Sequence, residues 1–376
     1  MSETVKYDWL SIIKINIWNF KLVGLWPGDE GYKLDFYLLR SSIIVFVFAF
    51  ILTGGQTLKL MNHMTDLEVV ARTAYMIISF WLMFAKMYSI ARNIQPLRKL
   101  LRSLNDDIFQ VRTQEQIDNI SPSIRIWNIT YILITACIAS SVTFWAIFSF
   151  SNRRLPFTSW YPYNTTVSPM YEVTCIHQLA SLFFQAYVVD INMDTFIAAF
   201  SLYAAVQFDI LCDNVKRLKP EGFREGLISC VKHHRAIVNF VNSYNEIFDS
   251  IILGQFLTSA ASLGITLFLI VGVPPLSSEF LSYIFYENAV LTEIFIYCWF
   301  GNEIQIKSSN VFFVAFESHW IEASLEAKRD LIFFMVRTQT SLKISALNLF
   351  ELTLENFLRI LKTAYSYFAL ARNFKN

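Results

Sequence analysis

Long runs of apolar residues dominate the chain, and shorter segments between them carry most of the charges. A helix needs about 20 mostly apolar residues to cross a lipid bilayer. Runs of this kind predict seven membrane-spanning helices, at residues 41–58, 73–90, 126–152, 173–208, 250–278, 283–302 and 338–374. We therefore expect an all-α membrane protein.

A few charges fall inside the predicted spans. Lys86 stands near the end of the second span, where we expect its ammonium group to reach the interface. Asp190 and Asp194 interrupt the fourth span, which we interpret as one long helix that continues out of the membrane. An ionisable group at that depth usually marks function. The seventh span is the most charged, and such a helix must be shielded by its neighbours or line water.

The distribution of basic residues predicts the orientation. They are frequent before the first span and in the loops after the second, fourth and sixth, whereas the other loops hold only Lys59, Arg72, Arg153 and Arg154. Basic loops stay in the cytoplasm, so the N-terminus is expected to be cytoplasmic and, with seven spans, the C-terminus extracellular. Of three N-x-S/T sequons, only the one at Asn164 then lies outside, which predicts it as the glycosylation site.

Composition supports a membrane protein and limits its function. Hydrophobic residues make up 55% of the 376 residues and charged residues 16%, whereas soluble domains carry about 25% charged residues. A net charge of +1 gives no reason to expect a nucleic-acid partner. The five cysteines lack metal-ligand spacing, and no hydrolase, metalloprotease or phosphate-loop motif is present. We expect no enzyme activity, no catalytic residues, no metal and no cofactor. The opening residues do not resemble a cleavable signal peptide, so the first span is expected to act as the insertion signal.

Four short motifs distributed along the whole chain carry a family resemblance. They read GLWP at 24–27, DTF at 194–196, YCWFGNE at 297–303 and LKTAYSYF at 361–368. Together they resemble the insect odorant receptors. Seven spans with a cytoplasmic N-terminus are the reverse of a G-protein-coupled receptor, and the DRY and NPxxY motifs of that class are absent.

The resemblance favours a ligand-specific tuning subunit. The loop at about 209–249 is too short for the odorant co-receptor, which has an extended loop there. Related gustatory receptors end in TY-x5-QF, whereas Ser366-Tyr367 and Asn373-Phe374 occupy that frame here. A gustatory-type ligand-gated channel remains the alternative. A secondary transporter is a more distant one, because we find no internal repeat or paired broken helices.

The resemblance implies a subunit of a tetrameric, non-selective cation channel that small volatile odorants open. Its partners would be co-receptor subunits and membrane lipid, and its place the plasma membrane of olfactory sensory neurons. The expected segments are a cytoplasmic N-terminal part (1–40), six spans with a ligand pocket in their outer half (41–300), a cytoplasmic anchor (301–340) and a pore-lining seventh helix (341–376). The anchor is amphipathic, so it packs either on partner subunits or on its own.

In the seventh helix, Leu370, Asn373 and Phe374 share one face, because residues three and four apart are neighbours on a helix. An apolar ring with one polar member suits a gate that closes by dewetting. The resemblance makes these three the predicted pore residues.

The ligand pocket should be mainly apolar and aromatic, with few polar groups. Helical spacing in the second, third, fourth and sixth spans selects the candidates Tyr75, Ile78, Ser79, Ser140, Phe144, Ile147, Phe184, Tyr187, Val188, Ile191, Tyr283, Tyr286 and Val290. The alternative for each is a lipid-facing or interfacial side chain. The loop at 151–171, rich in proline and aromatic residues, is expected to cover the bundle.

Overall fold

The computed structural model describes residues 7–28, 36–62, 64–65 and 67–375, without the side chains of 67–69, 148, 367 and 370–375. A short 3-10 turn, Trp9–Ile13, precedes the first α-helix, and another, Asp107–Phe109, follows the fourth. The α-helices are α1 (Lys14–Leu22), α2 (Phe36–Asn62), α3 (Leu67–Arg92), α4 (Ile94–Ser103), α5 (Gln114–Asn152), α6 (Met170–Lys216), α7 (Phe223–Gly272), α8 (Ser278–Glu317), α9 (Leu325–Thr338) and α10 (Leu354–Lys375). Two short strands, β1 (Ser345–Ala346) and β2 (Phe350–Glu351), form an antiparallel hairpin.

The first five predicted spans form the apolar helices α2, α3, α5, α6 and α7. In the part of the chain that the structure describes, these five are long and apolar enough to cross a membrane. The sixth and seventh predicted spans lie in α8 and α10, which are less apolar and do not reach that measure. The protein is thus a helical membrane protein, while the count of seven spans stays a prediction.

Several helices extend well beyond their apolar spans. The region at 209–249, expected to be a loop, is mostly helical, because α6 continues to Lys216 and α7 begins at Phe223. Likewise α8 continues fifteen residues past the predicted end of its span, to Glu317. The length of an apolar run reflects the thickness of the bilayer. A helix that continues into water beyond the bilayer therefore has an end that hydropathy does not mark.

The expected start of the seventh helix at residue 338 is wrong. A β-hairpin separates α9 from α10, and α10 begins only at Leu354. The hairpin turn places Leu347 and Asn348 at φ 48° and 57°, a left-handed conformation that asparagine adopts more readily than most residues. The backbone N–H of Ser345 donates to Asn245 Oδ1 at 3.2 Å, which docks the hairpin on α7.

Helix α6 is the centre of the bundle. Nearly all its residues from 191 to 211 are buried, against α8, α7, α5 and other helices. Four small residues, Ala198, Ala199, Ala204 and Ala205, let the neighbouring helices approach closely.

We predict that Gly301→Ala destabilises the junction between α8 and the hairpin. A Cβ atom at Gly301 would lie 2.5 Å from both Cβ and O of Leu352, and overpacking of this kind costs about 1–3 kcal/mol. The melting temperature of the detergent-purified protein measures the effect. Gly264→Ala is the matched control, because a Cβ there meets no atom within 4 Å and alanine favours a helix by about 0.5–1 kcal/mol. Equal melting temperatures for the two variants would contradict the prediction.

Candidate functional site

A buried ion cluster ties three helices together inside the bundle. Lys86 of α3 is 0% exposed, and its Nζ donates to Oδ1 of Asp190 and of Asp194, each at 2.7 Å. Tyr297 of α8 donates to the same oxygen of Asp194 at 2.6 Å. The expectation that Lys86 reaches the interface is therefore wrong, and Asp194 has a structural pairing. A charge at this depth is stable only when it is paired and hydrogen-bonded, so the cluster fixes α3, α6 and α8 together.

A π-helical segment, Phe184–Ile191, widens α6 beside this cluster. In a π-helix residues five apart follow one another along one face, which places Gln185 above Asp190. The Nε2 of Gln185 donates to the carbonyl oxygen of Phe48 at 3.0 Å, and Phe48 lies in a π-helical segment of α2. The widened turn of α6 thus brings an amide and a carboxylate into the apolar bundle, and the widened turn of α2 supplies the carbonyl that binds the amide.

We call the space above the ion cluster the inner cavity. It has a volume of about 90 Å³ and lies between α3, α5, α6, α7 and α8. Its apolar lining includes Met76, Phe80, Ile138, Val142, Trp145, Leu182, Ala186 and Val290, and its polar lining includes Ser79, Gln185, Asp190, Gln255, Tyr286 and Glu293. A mainly apolar wall with a few polar groups suits a small apolar molecule with one polar end.

A second space, the outer cavity, adjoins the inner one and shares Met76 and Trp145 with it. Its volume is about 240 Å³. Glu279 bridges its rim, since one carboxylate oxygen lies 3.2 Å from Arg72 Nη1 and the other 3.7 Å from Arg154 Nη1. These partly exposed ion pairs contribute little to stability, but they hold the start of α8 against α3 and the loop before α6.

The loop before α6 covers this end of the bundle. Phe157 is buried, with its ring 5.4 Å from that of Trp145 and 6.4 Å from that of Phe80. Gln178 donates to the Phe157 carbonyl and accepts from its N–H. The N–H of Trp160 donates to the Gly55 carbonyl at 2.9 Å. The expected cover is therefore present over both cavities.

Tyr161 anchors the same loop to α6. Burial raises the pKa of the Tyr161 phenol, so it stays protonated and donates to His177 Nδ1 at 3.2 Å. The other ring nitrogen of His177 lies 2.9 Å from the Val47 carbonyl and carries the proton there. This chain of hydrogen bonds joins the loop, α6 and α2.

Five of the thirteen predicted ligand residues line the cavities. Ser79, Tyr286 and Val290 line the inner cavity, and Tyr75 and Tyr283 the outer one. The Tyr286 hydroxyl lies 2.9 Å from Ser79 Oγ, and its ring packs 4.8 Å from that of Tyr75. These residues connect the two spaces.

The other eight line neither of these two cavities. Ser140 and Ile147 point to the outside of α5, and Phe184, Val188 and Ile191 are buried in the main core. Phe144 packs against Phe285 of α8 with ring centres 4.9 Å apart, and Tyr187 stacks on Phe183 one turn away at 5.4 Å. Ile78 is half-buried. Their role in ligand binding stays a prediction.

Helical spacing alone missed the polar groups of the inner cavity. Gln185, Gln255 and Glu293 each stand as a polar residue inside an apolar run, and that contrast was the signal available in the sequence. On α5 the cavity is lined by Ser141, Val142 and Trp145. This face of the helix is next to the face that carries the predicted residues Ser140, Phe144 and Ile147.

Two further sets of predicted residues are not among the described residues that line the cavities. The pore residues Leu370, Asn373 and Phe374 fall in α10, but their side chains lie outside the described part of the chain. Asn164 is exposed in the covering loop, and its Oδ1 accepts from the N–H and Oγ1 of Thr166 at 3.0 and 2.8 Å.

The fold and the two cavities together identify a helical membrane protein with several spans and a covered cavity inside its helix bundle. Residues 63–365 match the family model described as 7tm Odorant receptor. The chain therefore belongs to the odorant receptor family, whose members are receptors rather than enzymes.

Relatives and solved structures agree with this assignment. The chain is 23% identical to odorant receptor Or1 of Anopheles gambiae over 98% of this chain and 95% of that protein. It is 26% identical to odorant receptor 10 of Aedes albopictus over 67% and 68% of the two chains. The structure of the insect olfactory receptor OR5 of Machilis hrabei in complex with eugenol has the same fold, with a TM-score of 0.84 at 15% identity over 98% of this chain and all of that one.

Proposed function

We propose that this chain is the tuning subunit of an odorant-gated, non-selective cation channel. It binds a small volatile molecule in the inner cavity and works with co-receptor subunits in the plasma membrane of olfactory sensory neurons. The observation that carries the proposal is the covered, mainly apolar inner cavity in a member of the odorant receptor family. The OR5 structure that shares this fold was solved with eugenol, a small aromatic molecule.

The proposed topology has seven spans, a cytoplasmic N-terminus and an extracellular C-terminus. Support comes from the basic residues of the predicted outer loops. Arg72 and Arg154 both pair with Glu279, and Arg153 Nη2 lies 3.9 Å from Glu172 Oε1. These loops thus meet at one end of the bundle, as alternating spans require. In this topology Asn164 faces outside and is available for glycosylation.

The anchor segment supports assembly with partner subunits. One face of α9, with Leu331 and Phe334, is buried on its own chain. The opposite face leaves Ile332, Phe333 and Val336 uncovered, with Phe333 75% exposed. A helix that is apolar on both sides has surface for a second partner. We propose that this second face packs on the other subunits of a tetramer whose pore α10 lines, with Leu370, Asn373 and Phe374 at its gate.

Recording currents from cells that express this chain, with and without the co-receptor, tests the proposal. A panel of small volatile aromatic and heterocyclic compounds is applied with G-protein signalling blocked. We expect a fast cation current that requires both chains. A current from this chain alone would instead indicate a self-sufficient channel of gustatory type. Absence of current despite delivery of both chains to the surface would contradict the channel assignment.

A further inference from the structure

The polar lining of the inner cavity contains two amide oxygens for which no described residue supplies a hydrogen-bond donor. Gln185 is 1% exposed, and its Nε2 is held by the Phe48 carbonyl at 3.0 Å. Because that carbonyl can only accept, the amide cannot turn round. Its Oε1 is therefore a fixed acceptor, and among the described residues it has no donor.

Gln255 of α7 also has a buried amide whose nitrogen is hydrogen-bonded. It is 4% exposed, and its Nε2 donates to Glu293 Oε2 at 2.7 Å and to Ser259 Oγ at 3.2 Å. With Glu293 as a carboxylate, a flipped amide would face one acceptor oxygen with another, so the observed orientation is the favoured one. The Oε1 atom of Gln255 is likewise buried, and the structure shows no donor for it in the regions it describes.

Carboxylates add to this excess of acceptors. Asp190 and Glu293 line the inner cavity beside the two glutamines, and Asp194 lies just behind them. Lys86 supplies the positive charge of this cluster, and its ion pairs are with Asp190 and Asp194. Three acidic groups therefore share one ammonium, and this end of the cavity holds more oxygens than that single cation contacts.

The hydroxyl groups of the lining do not offset this balance. Ser79 Oγ and Tyr286 Oη both lie 3.3 Å from the Tyr75 carbonyl, which can only accept. Their protons are thus directed to the backbone, to one another or, for Tyr286, to Ser262 Oγ at 3.3 Å. Ser141 and Ser259 can donate or accept, while the two amide oxygens can only accept.

From this balance we infer that the inner cavity selects a small volatile molecule whose polar group donates a hydrogen bond. The class comprises alcohols, phenols and amines, whose O–H or N–H would reach the oxygens of Gln185 and Gln255. Their apolar body would pack against Met76, Phe80 and Trp145. Esters, ketones and ethers of the same skeleton would leave those buried acceptors unpaired, which is unfavourable. The inference rests on the proposed function, since it takes the inner cavity as the ligand site.

Matched compounds on one skeleton test the inference in cells that express this chain with the co-receptor. Benzyl alcohol and benzylamine are compared with benzaldehyde and benzyl methyl ether, and cyclohexanol and cyclohexylamine with cyclohexanone and methoxycyclohexane. We expect half-maximal currents for the donor compounds at concentrations at least about tenfold lower, a difference typical of one unmatched buried polar group. Equal or better activation by the acceptor-only compounds would overturn the inference and leave the proposed function intact.

Variants locate the effect, and a binding measurement separates the two proposals. Gln185→Met and Gln255→Met are expected to raise the half-maximal concentration of the alcohols at least about tenfold without raising that of the ethers. Gln339→Met, on an exposed part of the chain, is the control. A loss of response to both compound types in variants that reach the surface would count against selection by these oxygens. If no compound produces a current or shifts the melting temperature of the purified chain, both the inference and the proposed ligand site fail.

Discussion

Replacement of Lys86 by methionine is expected to abolish delivery of the protein to the cell surface. The substitution removes the ammonium that contacts Asp190 and Asp194 at 2.7 Å and leaves two carboxylates in an apolar interior. Removing one partner of a buried pair costs about 3–5 kcal/mol, a large part of the total stability of a typical domain. Surface biotinylation and fluorescence-detected size-exclusion chromatography of the tagged protein measure the result.

The control and the rescue separate the lost charge pairing from a loss of side-chain volume. Lys232→Met removes an exposed lysine and should leave delivery unchanged. Lys86→Met combined with Asp190→Asn and Asp194→Asn removes the whole set of charges and should recover much of the folded protein, because amides are far less costly to bury than carboxylates. Surface levels of Lys86→Met equal to those of Lys232→Met would show that the cluster is unimportant for folding.

Ala186→Leu is expected to remove the response to odorants while the protein still reaches the surface. Ala186 lines the inner cavity, whose volume of about 90 Å³ is too small to hold both three added carbon atoms and a ligand. A side chain that enters existing space strains its neighbours little, whereas the ligand loses its contacts. We expect the half-maximal concentration to rise by more than about tenfold, or about 1.4 kcal/mol, in currents from cells that also express the co-receptor.

Ala139→Leu is the matched control for that experiment. It makes the same chemical change on α5, where Ala139 points away from the bundle. Its concentration–response curve should coincide with that of the unmodified chain. A normal response from Ala186→Leu would place the ligand outside the inner cavity and direct attention to the outer one.

The apolar runs predicted the helical core of the bundle, because lipid requires an uninterrupted apolar surface of fixed length. They gave no information on what lies beyond that length. The N-terminal half of α7, from Phe223, is amphipathic and packs on other helices, so its burial arises from tertiary contacts that hydropathy does not detect. The hairpin between α9 and α10 depends on left-handed Leu347 and Asn348, and leucine carries no signal for that conformation.

The cavity was predictable on α3 and α8 and much less so on α6. Regular spacing found Ser79, Tyr286 and Val290, since α3 and α8 keep an α-helical period. In α6 the π-helical segment changes which residues share a face, so an α-helical period selected Tyr187 and Val188 instead of Gln185 and Asp190. The pairing of Lys86 with Asp190 spans 104 positions along the chain, and no local pattern could have shown it.

The covering loop has a consequence for the time course of a response. Phe157 and Trp160 close the outer end through buried packing and a backbone hydrogen bond, so a molecule that enters from this end requires displacement of the loop. Entry then has two steps, an opening that does not depend on concentration and a capture that does. At high doses the onset of activation should reach a limiting rate set by the opening step. Substances of quite different potency would then share one maximal speed of onset.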